Sequence, residues 1–133
     1  MSSGLVVDPS ALVALLADAG MTGEWVASTI GGQELATPEL AMFETANVLR
    51  RQQLSGHLDS EQATLAHRAL QSLPMQLWPY LPLADRAWEL RESLTTSDAS
   101  YVALAERLGT GLVTLDVRVG RAHGPLCPIL TPS

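Results

Sequence analysis

The chain contains no lysine, and its 133 residues set eight arginines against fourteen acids, for a formal net charge of −6. Without lysine there can be no P-loop lysine, no Schiff base and no Ser–Lys dyad. The acidic balance argues against holding nucleic acid through a bare basic patch, although metal ions that neutralise part of the charge would change that. A single cysteine, Cys127, rules out an intrachain disulfide and any multi-cysteine metal site. Aromatic residues make up only 5%, so Leu, Ala and Val must fill the core of a chain that is 47% hydrophobic. Disorder does not fit that composition, and the length suits one domain over residues 1–133. Long apolar runs are missing as well. The longest, Ala11–Ala17, is far too short to span a bilayer. MSSGLVVD has neither the basic nor the apolar region of a signal peptide. A cytoplasmic protein without membrane contact is the expectation.

What is present is an alternation of strands and helices. LVVD (5–8) is a short β-branched run ending on an acid. Pro9 suits the first position of a helix, whose opening amides are unbonded in any case. That helix runs to Ala17, and a weaker one covers Met21–Ile30. A strand over Gln33–Thr37 leads into a long helix at 38–56, and Ser60–Leu73 forms the next. MQLWPYL (75–81) reads as an edge strand or strand end because it contains Pro79. Helices are expected at Leu83–Leu94 and Asp98–Leu108, a strand at Gly111–Leu115, a helical turn at Val117–Ala122 and a last strand at Cys127–Leu130. Strand cores that are apolar on both faces indicate a parallel sheet covered by helices on each side.

Four acids sit where a core or a strand end is expected. Asp8 and Asp116 close candidate strands. Asp98 opens a helix and lies on the stripe of Tyr101, Val102, Ala105 and Leu108 that the helix should bury. Glu44 shares a helix face with Leu40, Asn47, Val48 and Arg51. Each has an ordinary explanation: Asp8 as a helix cap, Asp98 as a complement to a helix dipole, Asp116 as a turn opener, Glu44 as a surface partner of Arg51. Taken together they suggest more, because clustered carboxylates repel unless protons or a cation intervene. Mg²⁺ and Mn²⁺ prefer oxygen ligands, and in such sheets the site lies beyond the carboxyl ends of the strands. Ser10, Ser97 and Thr114 are candidates to support these acids. Asp18, Glu24, Asp59, Glu61, Glu89, Glu92 and Glu106 read as solvated. His57, His67 and His123 show no zinc spacing, and the GTG of 109–111 precedes a strand, so it is no dinucleotide loop.

VVDPSALVALL, PELAMFETANVLRR and SDASYVALAERLGTGLVTLDVRV, in that order, resemble the PIN-domain family and, within it, the VapC-type toxins of bacterial toxin–antitoxin pairs. The resemblance implies a three-layer α/β/α fold with a central, mostly parallel sheet of about five strands. It also implies an endoribonuclease dependent on Mg²⁺ or Mn²⁺. The family's catalytic acids fall on Asp8, Glu44, Asp98 and Asp116, with Asn47 completing an ExxN setting. Pro9 stands where members often have alanine. Asp8, Asp98 and Asp116 are then expected to hold one or two metal ions, with Glu44 as ligand or orienter through water. RNA is the implied substrate, and Arg50, Arg51, Arg118 and Arg121 are candidate contacts. A VapB-type antitoxin and a homodimer are the implied partners, and an antitoxin arginine would suit the anionic pocket. The apolar residues around helix 38–56 would be covered by helix 60–73, the dimer or the antitoxin. Other readings lack their residues. A haloacid-dehalogenase-like phosphatase needs a second acid after Asp8, and a receiver domain needs a lysine. A non-catalytic PIN-fold interaction module remains the alternative, and it would not need metal.

Overall fold

The computed structural model describes residues 4–132. In chain order these form β1 (Gly4–Val7), α1 (Pro9–Ala17), α2 (Met21–Ile30), β2 (Glu34–Pro38), α3 (Leu40–Leu54) and α4 (Ser60–Ser72). There follow β3 (Met75–Trp78), a 3₁₀ turn at Leu81–Leu83, α5 (Ala84–Glu89), α6 (Thr96–Leu108), β4 (Gly111–Val113), α7 (Val117–Arg121) and β5 (Ile129–Leu130). All pairings are parallel, in the order β3-β2-β1-β4-β5. Helices pack in two groups, α1 to α4 against one another and α5 along α6, which itself lies on β1, β2 and β4. The result is the expected sheet between helical layers. Val6, Val7, Leu112 and Val113 are fully buried in its centre, beside Leu12, Tyr101 and Leu104. Burial of each such side chain contributes roughly 1.5–3 kcal/mol.

Several boundaries differ from expectation for identifiable reasons. β4 stops at Val113 rather than Leu115, because the Thr114 hydroxyl turns to Asp8 and the next two amides bond side chains, Leu115 to Ser10 and Asp116 to Thr114, instead of a ladder. β5 is only two residues long, since Pro128 has no amide to donate and can offer only its carbonyl, to Leu112. The expected helix 83–94 survives only as α5. At Leu90 the chain leaves helical geometry (φ −91°, ψ 4°), and the amides of Leu90, Arg91 and Ser93 bond three residues back. α6 begins at Thr96, because Thr95 is its cap and accepts the Asp98 amide at 3.2 Å.

α4 does cover part of α3. Leu49 is buried with Val13, Leu58, Ala63 and Ala66, whereas Leu40 and Phe43 stay exposed, Phe43 at 77%. Glu106 is not a solvated acid. Its Oε1 accepts from Arg86 Nε at 2.6 Å, and its Oε2 accepts from Arg86 Nη2 at 3.1 Å and the Leu126 amide at 2.7 Å. Among the described residues no helix is long and apolar enough to cross a membrane.

Candidate active site

Parallel strands bring all their carboxyl ends to one edge. From β1 the chain builds β2 and β3 to one side, while β4 and β5 lie on the other. The strand order therefore reverses between β1 and β4, where open α/β sheets leave a crevice. Asp8 and Asp116 follow those two strands.

Asp8 is 7% exposed. Its amide still reaches the Val113 carbonyl at 3.3 Å. Its Oδ1 accepts from the Ala11 amide at 3.0 Å and from Ser10 Oγ at 2.6 Å, while Oδ2 accepts from Thr114 Oγ1. Ser10 Oγ in turn accepts the Leu115 amide at 2.9 Å, and Thr114 Oγ1 accepts the Asp116 amide at 3.0 Å. These two hydroxyls tie the end of β1 to the end of β4. Burial pushes the Asp8 pKa above the usual carboxylate range, the hydrogen bonds oppose that shift, and the charge of Asp98 adds to it. Asp8 is thus a helix cap and a buried acid at once. The ordinary reading and the functional one describe the same geometry.

Glu44 projects from the second turn of α3 and is half-buried. Its partner is not Arg51. Tyr101 Oη, from a ring buried on α6, donates to Glu44 Oε1 at 2.6 Å. Burial, followed by the adjacent Glu44 carboxylate, raises the Tyr101 pKa far above its ordinary value, so the phenol remains a donor. Asp98, in the first turn of α6, is half-buried. Its pKa is raised first by burial and then by the charge of Asp116, with Glu44 adding to the effect. Asp116 caps α7. It accepts the Arg118 amide at Oδ1 (3.0 Å) and the Arg118 guanidinium at both oxygens, from Nε at 3.0 Å and Nη2 at 2.8 Å. That guanidinium holds the Asp116 carboxyl below its usual pKa.

The structure thus brings the four predicted acids into one electrostatic neighbourhood. Of the three supporting residues, Ser10 and Thr114 serve as expected, whereas Ser97 offers only its carbonyl, to Ser100 Oγ at 2.6 Å. Asn47 lies exposed on α3. Sequence reasoning placed Tyr101 in the core and missed its bond to Glu44. The available signal was a phenol on a buried stripe, whose hydroxyl needs a partner.

The donor chemistry fits a hard divalent cation, since every acid here offers carboxylate oxygens. The arrangement is not a formed cage. Among the described residues no three His, Cys, Asp or Glu side chains stand close enough together to hold an ion. Asp116 accepts two bonds from Arg118 at Oδ1 and one at Oδ2, so Oδ2 keeps a lone pair for a ligand, beside the charge of the guanidinium. A cavity of about 640 Å³ lies at the opposite, amino edge of the sheet, lined by residues such as Leu5, Glu34, Met75 and Thr110, and contains none of the four acids.

Comparison with known proteins identifies the family and the fold. The sequence profile of the PIN domain matches residues 5–124. Ribonuclease VapC9 of Mycobacterium tuberculosis is 36% identical over 125 residues, covering 94% of this chain and 95% of its own. Among solved structures, PAE2754 from Pyrobaculum aerophilum superposes with a TM-score of 0.67 at 27% identity, covering 95% of this chain and 82% of that one. A chain of VapBC2 from Rickettsia felis, bound to a DNA fragment from their promoter, shares the fold at a TM-score of 0.70 and 12% identity, covering 96% and 97%. The chain belongs to the PIN-domain family and counts the VapC ribonucleases among its relatives.

Proposed function

We propose that this chain is a Mg²⁺- or Mn²⁺-dependent endoribonuclease of the VapC type, acting as a single domain in the cytoplasm and held in check by a VapB-type antitoxin. The observation that carries this reading is the electrostatic coupling of four carboxylates around the sheet's switch point. Asp98 feels the charges of both Asp116 and Glu44, and Asp8 feels that of Asp98. Kinship with proteins named VapC ribonucleases supports RNA as substrate, and with it the antitoxin. The exposed Leu40 and Phe43 of α3 offer apolar surface to a partner.

Asp8, Asp98 and Asp116 would hold the cation, with Glu44 as a further ligand or as the group that orients a water. Bound there, a divalent cation lowers the pKa of water and stabilises charge building on the phosphate. The chain's own contribution is preorganisation. Ser10, Thr114 and the Ala11 amide fix both oxygens of Asp8. Tyr101 fixes one oxygen of Glu44.

Purified protein incubated with total RNA tests the reading. Cleavage is expected with Mn²⁺ and not without it, and Asp98→Asn should abolish it. The alternative, a non-catalytic interaction module, draws on one observation, that among the described residues no three acids stand close enough to hold an ion. Wild-type protein that leaves RNA intact at millimolar Mn²⁺ would favour that module.

A further inference from the structure

Two of the eight arginines are held by carboxylates in opposite ways. Arg86 is anchored by Glu106, by Glu89 and by the Gly124 carbonyl at 2.8 Å, and its side chain is mostly covered. Arg118 is anchored by Asp116 alone, and its side chain is 84% exposed. It lies against Asp116, and its charge acts weakly on Asp98 as well.

The Arg118 guanidinium meets Asp116 through two parallel donors. That fork fits a carboxylate and a phosphate equally well. The Arg118 amide independently donates to Asp116 Oδ1, so α7 keeps its cap whether or not the guanidinium stays. An ion pair this exposed is cheap to part. The positive charge of Arg118 beside Asp116 opposes an incoming cation there, and its exposed side chain is free to reach outward.

We propose that Arg118 exchanges one anion for another. It holds Asp116 while the acids carry no cation, and it turns to a phosphodiester of the bound RNA once a divalent cation takes Asp116. Arg118 is then at once a competitor of metal binding and a substrate contact. This rests on the nuclease reading above and adds to it the residue that couples cation entry to RNA binding.

The two roles predict effects of opposite sign, which a merely structural ion pair would not produce. Mn²⁺ binding is measured by calorimetry without RNA, and cleavage kinetics are measured at saturating Mn²⁺. The substrate is an oligoribonucleotide carrying the site mapped in total RNA. Arg118→Ala should bind Mn²⁺ about three- to tenfold tighter, because the competing cation is gone. Its KM should rise about tenfold, with kcat changed far less. Arg118→Lys retains a charge without the fork and should recover part of the KM. Arg118 is exposed, so circular dichroism should show both variants folded. Mn²⁺ affinity that is unchanged or weaker in Arg118→Ala overturns the proposal, as does an unchanged KM. If instead the wild type neither binds Mn²⁺ nor cuts RNA, the nuclease reading itself has failed, which the same wild-type titration reveals.

Discussion

Tyr101 and Asp98 lie three positions apart on α6, and their environments set them opposite tasks. The Tyr101 hydroxyl is committed to Glu44, so Tyr101→Phe keeps the buried ring and deletes one bond to a carboxylate. Stability should fall by only about 1 kcal/mol, since Glu44 is half-exposed and can be rehydrated. Glu44 would lose its fixed direction, and kcat should drop about tenfold with KM nearly unchanged. Equal kcat in Tyr101→Phe would remove Tyr101 from the site. Asp98 instead resists ionisation, through burial and through the charges of Asp116 and Glu44. Because its native pKa lies above its unfolded one, the folded protein keeps the proton to higher pH than the unfolded chain does. Stability therefore falls as pH rises through that interval and remains lower above it. In metal-free buffer at pH 7, Asp98→Asn should melt about 1–4 °C higher than wild type. That advantage should fade below about pH 4, where the unfolded carboxylate also takes up its proton. A melting difference that does not change between pH 7 and pH 3.5 would contradict this origin.

One element contact is set by a single residue and another by one ion pair. α2 crosses the end of α1 through Gly23, where an added Cβ would lie 1.8 Å from the Asp18 carbonyl oxygen and 2.7 Å from that of Ala14. Both obstacles are backbone and cannot swing aside. Gly23→Ala should cost about 2–3 kcal/mol in urea unfolding, although alanine is the better helix former. A neutral result would mean that the helices can slide apart. The other contact is Glu106 with Arg86, which clasps the segment at Gly124 and Leu126 against α5 and α6. The Glu106 side chain is 15% exposed and Arg86 29%, so the pair is covered enough to matter. Glu106→Gln weakens the bidentate bond and should cost about 1–2 kcal/mol. Hydrogen exchange should speed up at the amide of Leu126 before the sheet is affected.

For the molecule as a whole, the acids make stability depend on cation concentration. Carboxylates gathered without a cation destabilise the native state. A divalent ion that binds only the native state adds stability by mass action, about 2.7 kcal/mol at a hundred times its dissociation constant. Melting at neutral pH should rise by about 5–10 °C under those conditions, and Asp116→Asn should blunt the rise. Assembly is the second expectation at this scale. Phe43, Leu81 and Trp88 are all exposed, and a second copy would cover side chains of this kind. Light scattering at micromolar concentration should report twice the 14.2 kDa chain mass. A stable monomer would count against the homodimer.

The order of elements was legible in the sequence because its signals are local. Apolar periodicity, Pro9 at a helix start and acids at the ends of short runs act within a few residues. The four acids stand out in the sequence for the same reason, as carboxylates in places that should be apolar. The helix 83–94 was over-read because its periodicity continues past the point where Leu90 turns into the core. Only the tertiary structure decided that β1 lies beside β4, which brings Asp8 and Asp116 to one edge, and that α6, which carries Asp98, packs on both strands. Only it joined Tyr101 to Glu44 across 57 positions and Arg86 to Glu106 across 20, bonds that composition gives no means of choosing. A hydrogen bond needs its atoms within about 3 Å and aligned, and that condition is met or missed by the packing of the whole chain, not by the identity of its neighbours in sequence.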